Sequence, residues 1–130
     1  LKSFNTGECE LLYRKNNRKL SKPKSVYGGS NIIPWSPTMN LTFAHTRGPW
    51  HAIPLLLDDR CQTAQIGKKL NFQLADQLDL KSPRKEVEYP YFLNICDDEI
   101  ELFLEVEDCV SVKLTFSPES FARGLIYAKL

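Results

Sequence analysis

The chain has 130 residues, 42% hydrophobic and 25% charged, with 17 Lys and Arg against 16 Asp and Glu for a formal net charge of +1. That length suits one domain, residues 1–130, able to bury roughly two-thirds of its unfolded surface without a metal, and the composition is that of a soluble globular domain, not a disordered chain. No apolar run approaches the ~20 residues that a membrane-spanning helix requires.

The chain starts at Leu1 and stops at Lys129-Leu130 directly after an apolar run, so it reads as processed or excised from a longer protein. Residues 8–13 make a short strand after the Thr6-Gly7 turn. Residues 14–24, RKNNRKLSKPK, follow as a basic loop or hairpin tip turning at Asn16-Asn17. Gly28-Gly29 and Pro34 to Pro37 bracket the apolar pair Ile32-Ile33. Met39, Leu41 and Phe43 then alternate with Asn40, Thr42 and Ala44, the pattern of a strand that puts the Asn40-Leu41-Thr42 glycosylation sequon on its outer face. Arg47-Gly48-Pro49 turns the chain into an apolar stretch over 50–57. Pro54 lies within it and lacks a ladder donor, so this strand is expected at an edge or broken at a bulge.

After the polar break Asp58-Asp59-Arg60, residues 62–74 alternate again. Leu70, Leu74 and Leu78 are also spaced by four, which suits a helix, but a strand over 68–74 is the preferred reading. Residues 81–88 form a second polar loop, and 89–96 lead into the next strand.

Residues 100–116 carry the longest two-residue period in the chain. Every even position is apolar except Asp108, and the odd positions are mostly polar, with Phe103 the exception. If this stretch folds back on itself, even residues must oppose even residues, which requires an odd-numbered loop. Glu107, Asp108 and Cys109 make that loop and set Val106 opposite Val110, Leu104 opposite Val112, Leu102 opposite Leu114 and Ile100 opposite Phe116. Cys109 is a poor residue for a left-handed turn position, so a single long bent strand is the alternative. Ser117-Pro118-Glu119 starts one short helical turn near 118–123, Gly124 stops it, and 125–128 return to extended chain. About seven short strands separated by turn signals imply an all-β fold, an antiparallel β-sandwich of immunoglobulin-like or related type, with a barrel as the alternative.

Cys9, Cys61, Cys96 and Cys109 have no CxxC spacing, which argues against a zinc site. Two disulfides are expected, in one of three pairings, and with the Asn40 sequon they place the domain outside the cell or at its surface. Charge is strongly segregated. Residues 1–30 hold seven bases against two acids, whereas 97–108 hold seven acids and no base. Arg14, Lys15, Arg18, Lys19, Lys22 and Lys24 are the candidate site for a sulfated glycan or another anion. Asp97, Asp98, Glu99, Glu101, Glu105 and Glu107 are the candidate docking surface for a basic partner protein, free or membrane-bound. A calcium loop is set aside because the acidic run lacks the required spacing, and no metal or other cofactor is expected. Trp35 and Trp50 lie among prolines, either as aromatic anchors for a partner or as caps on the end of the sandwich. His45 and His51 are read as loop histidines without a metal role.

No nucleophile elbow, phosphate loop or HExxH helix occurs, so the chain is not expected to be an enzyme. Nucleic acid is not expected either, since no aromatic residues are interleaved with the basic run. The reading is an extracellular protein-binding module of a receptor, adhesion protein or secreted ligand, with head-to-tail self-association through the two opposite charges as a further option. One alternative is a secreted glycosaminoglycan-binding ligand or decoy; the other is an intracellular β-sandwich adaptor with reduced cysteines.

Overall fold

The long alternation over 100–116 folds in the register its parity dictates. Strands β6 (Glu99–Val106) and β7 (Val110–Phe116) are antiparallel, with Val106 opposite Val110, Leu104 opposite Val112, Leu102 opposite Leu114 and Ile100 opposite Phe116. The hairpin, not a bent strand, is therefore the outcome. Its left-handed positions are Glu107 (φ 53°) and Asp108 (φ 55°), so Cys109 is spared the conformation for which it is ill suited. The Cys109 N–H closes the turn on the Val106 carbonyl.

The computed structural model describes residues 27–60, 62–81, 87–124 and 128–129. Among the described residues the other strands are β1 (Ile33–Ser36), β2 (Met39–His45), β3 (Ala52–Leu57), β4 (Thr63–Ile66), β5 (Glu88–Cys96) and β8 (Ala128–Lys129), with two helices, α1 (Leu74–Gln77) and α2 (Pro118–Gly124). They form two antiparallel sheets, β1-β2-β3-β4-β8 and β5-β6-β7, so the architecture is a β-sandwich and not a closed barrel. The expected strand over 8–13, the basic loop over 14–24 and Cys61 lie outside the described residues.

The core lies between the sheets. Leu41 and Phe43 of β2 are fully buried, as are Leu93 of β5 and Ile100, Leu102, Leu104 and Val106 of β6. Burying one such side chain contributes roughly 1.5–3 kcal/mol. Phe121 of α2 closes one side of this core, its ring 5.6–5.7 Å from those of Trp35, Phe43 and Phe116.

Three local expectations are corrected. Residues 68–74 do not form a strand: apart from an isolated bridge from Leu70 to Ala52 they are irregular, and α1 begins at Leu74. Its cause is remote in sequence. The Glu88 carboxylate accepts the Phe72 N–H (2.9 Å) and the Leu74 N–H (3.0 Å), satisfying donors at the start of the helix. Second, β3 is an interior strand despite Pro54. The Pro54 carbonyl accepts the Gly67 N–H just beyond the end of β4, so the position without a donor faces away from β2, where the ladder has already stopped. Gly67 is required there, because a Cβ would lie 2.4 Å from Pro54 Cγ. Third, of the three cysteine pairings the sequence allows, the one that joins Cys96 to Cys109 is not formed; both side chains are exposed, and Cys9 lies, like Cys61, outside the described residues. Cys96 and Cys109 sit at opposite ends of the same sheet, the former beside the first residue of β6 and the latter beyond the last, a separation that rules out the pairing between them.

Candidate functional site: the outer face of the three-stranded sheet

Successive side chains on a strand point to opposite faces, so the residues facing away from the core follow from the register. On β6 they are Glu99, Glu101, Phe103 and Glu105, on β7 Ser111, Lys113 and Thr115, and on β5 Cys96, Asn94, Phe92 and Tyr89. Asp97 and Asp98 join β5 to β6 as a two-residue turn with φ of 50° and 62°, left-handed at both positions as a type I′ hairpin demands. Both project into solvent at the end of this face.

Two effects give the face its chemistry. A bulge between Pro90 and Phe92 inserts Tyr91, and Tyr91 (37% exposed) and Phe92 (44%) come to lie beside Phe103, with ring centroids 6.2 and 5.6 Å away. Exposed aromatic rings are thereby grouped in the middle of an acidic surface. The acids, in turn, are largely uncompensated among the described residues. Glu101 meets Lys113 (3.4 Å) and Glu105 accepts a hydrogen bond from Ser111 (3.2 Å), but among the described residues Lys113 is the one base on this face against Asp97, Asp98, Glu99, Glu101 and Glu105. The field also reaches Cys96. A hydrogen bond to Glu101 and the charge of that carboxylate push the Cys96 thiol above its ordinary range, so the exposed thiol is held protonated.

Comparison with protein-family models, with curated proteins and with solved structures finds no match to this chain.

Of the acidic residues singled out in the sequence, five share this face or its turn and one does not. Glu107 is buried, and its carboxylate accepts the Val87 N–H (2.9 Å), so it braces the entry to β5 and does not belong to the wet surface. Glu88 and Glu107 both line a cavity of about 120 Å³ with Asn71 and Gln73, where Glu88 is committed to the backbone at α1. Among the described residues no group of three or more His, Cys, Asp or Glu is placed to hold a metal ion.

The remaining candidates are elsewhere. Trp35 is half-buried against Phe121. Trp50 is half-buried and stacks on His45 (5.1 Å, 13° between planes), while Tyr27 covers the other ring contact of His45 at 5.7 Å and Tyr89 meets it edge-on at 4.8 Å. The Arg47 guanidinium lies over the Tyr27 ring at 4.1 Å. His45 and His51 are buried, not loop histidines in solvent, and His45 Nδ1 has no hydrogen-bond partner among the described residues. Asn40 and Thr42 share the outer face of β2 as expected; the Asn40 amide reaches the Asp58 carbonyl (3.4 Å) and the Thr42 hydroxyl donates to the Ser30 carbonyl (3.1 Å). Arg14, Lys15, Arg18, Lys19, Lys22 and Lys24 lie outside the described residues, as does Cys9.

Sequence reading found the acids through their density and missed Tyr91, Phe92 and Phe103 as a group. The available signal was Phe103, the single apolar residue on the odd side of β6. The bulge that brings Tyr91 beside it leaves no mark in the sequence pattern.

Proposed function

We propose that this chain is a protein-binding module whose docking surface is the outer face of β5-β6-β7, and that the partner presents arginine side chains there. The observation that carries the reading is the grouping of Tyr91, Phe92 and Phe103 within Asp97, Asp98, Glu99, Glu101 and Glu105. A guanidinium stacks on an aromatic ring while donating to a carboxylate, and arginine does both better than lysine. Aromatic rings supply affinity and the surrounding acids supply on-rate and partner choice.

An arginine-rich peptide alternating with leucine tests the reading. It binds with a Kd of about 100 µM or tighter, weakens as salt is raised, and loses roughly tenfold in affinity to a Phe92→Ser, Phe103→Ser double variant. The same peptide with lysine for arginine binds more weakly. Equal affinity for both peptides, or binding indifferent to the two phenylalanines, contradicts it.

Placement of the module outside the cell rests on the Asn40 sequon and on oxidised cysteines. The intracellular variant of the same reading, an adaptor with reduced cysteines, is the alternative, and the exposed positions of Cys96 and Cys109 at opposite ends of one sheet are compatible with it. Thiol titration of protein isolated under alkylating conditions separates the two: four reactive thiols support the adaptor, none supports the extracellular module.

A further inference from the structure

Glu101 is already engaged by a cation of its own chain. It stands on the central strand of the sheet, opposite Asn94 of β5 and Thr115 of β7, and the next residue of β6 on the same face is Phe103. Lys113 is the β7 residue opposite Phe103, yet its ammonium does not stay in that row. It reaches diagonally to Glu101, 3.4 Å away. Diagonal neighbours on a strand pair are within range of a long side chain, so the contact follows from the register.

The two ends of this pair are unequally exposed: the Glu101 side chain is 12% exposed and that of Lys113 54%. The carboxylate is thus largely covered, whereas the lysine stands mostly in water and is held by a contact of small net strength. The position matters because an acid and a ring side by side are what an arginine needs. Phe103 has an acid on either side along β6, Glu101 and Glu105, and Phe92 flanks it from β5 with a ring separation of 5.6 Å. Glu105 meets a neutral hydroxyl, that of Ser111 (3.2 Å), while Glu101 meets a positive charge. A guanidinium arriving over Phe103 therefore has to displace a cation at Glu101.

We propose that Lys113 is a built-in competitor for the arginine site, its ammonium resting on Glu101 until a partner guanidinium stacked on Phe103 displaces it. Lys113 has this role only if the outer face receives arginine, as proposed above. The arginine prevails because it can donate two parallel hydrogen bonds to the carboxylate while lying flat on the ring. A lysine of the partner would exchange one ammonium for another and gain little. Because an exposed ion pair is weak, the competitor lowers affinity a few-fold and does not close the face.

Titration calorimetry with the alternating arginine and leucine peptide tests this at about 0.15 M salt, where exposed charges more than about 8 Å apart are largely screened. Lys113→Met keeps an apolar stem opposite Phe103 and removes the charge, and it tightens binding roughly threefold to fivefold over the parent chain. Lys113→Gln gives the same gain, so the result does not depend on the folding of one variant. When Glu101→Gln is already present, Lys113→Met changes the affinity by less than about twofold, because the competition has no site left. No gain from either Lys113 variant, or an equal gain with and without Glu101, overturns the proposal. The docking face itself then survives if the parent chain binds and the Phe92→Ser, Phe103→Ser variant binds less well. If neither the parent nor the Lys113 variants bind the peptide, both the competitor and the docking face are overturned.

Discussion

At the scale of single residues, His45 is the side chain whose chemistry is most constrained. It is packed against Tyr27, Trp50 and Tyr89 at the end of β2, and the Arg47 guanidinium lies above Tyr27. Burial holds the imidazole below its ordinary value of 6.5; a hydrogen bond with the Gly28 backbone opposes this, and Arg47 adds to it. The folded state therefore keeps His45 neutral while the unfolded state takes up a proton below pH 6.5. Stability from this residue is complete above that pH and is lost as pH falls below it, with a slope of at most about 1.4 kcal/mol per pH unit for one proton. Urea denaturation across that range should show the slope in the parent chain and a shallower one in His45→Phe. Identical slopes would remove His45 as the cause.

At the scale of elements, α1 shows how a short helix depends on a distant strand. It has four residues, too few to persist on propensity, and no side chain of its own caps it. The Glu88 carboxylate, fourteen residues after Leu74, satisfies the Phe72 and Leu74 N–H groups from β5. Glu88→Ala leaves both donors unpaired and should cost about 2–4 kcal/mol in chemical denaturation, with Glu88→Gln recovering part of it. A cost below about 0.5 kcal/mol would mean that water replaces the carboxylate without penalty. This dependence also explains what the sequence conveyed. The β6-β7 hairpin was readable because a two-residue period and an odd-numbered turn are local properties. The helix was not, because alternation through Leu70, Phe72 and Leu74 is compatible with a strand and the decisive partner, Glu88, is a single acid in a polar run. Pro54 misled for a similar reason: its missing donor points where β4 has ended, which only the tertiary register reveals.

At the scale of the whole molecule, the sandwich separates what it hides from what it shows. Every even residue of β6 is in the core, and the odd ones carry the acidic and aromatic outer face, so one alternation builds both the core and the proposed docking surface. The acidic half of that surface was legible, since seven acids fall within residues 97–108. Its aromatic half was not, because Tyr91 and Phe92 belong to another strand and reach Phe103 through a bulge. The withdrawal of Glu107 into the interior was equally hidden, for its parity matches that of the exposed glutamates.

The central claim is that this outer face receives arginine side chains. Nitrogen–proton correlation spectra of the labelled chain, titrated with the alternating arginine and leucine peptide, test it most directly. The account predicts shifts concentrated at Phe92, Asn94, Glu101, Phe103 and Glu105, with the buried Leu41 and Phe43 unmoved; shifts centred on any other surface, or none at peptide concentrations near 1 mM, about the weakest affinity worth calling specific, would contradict it.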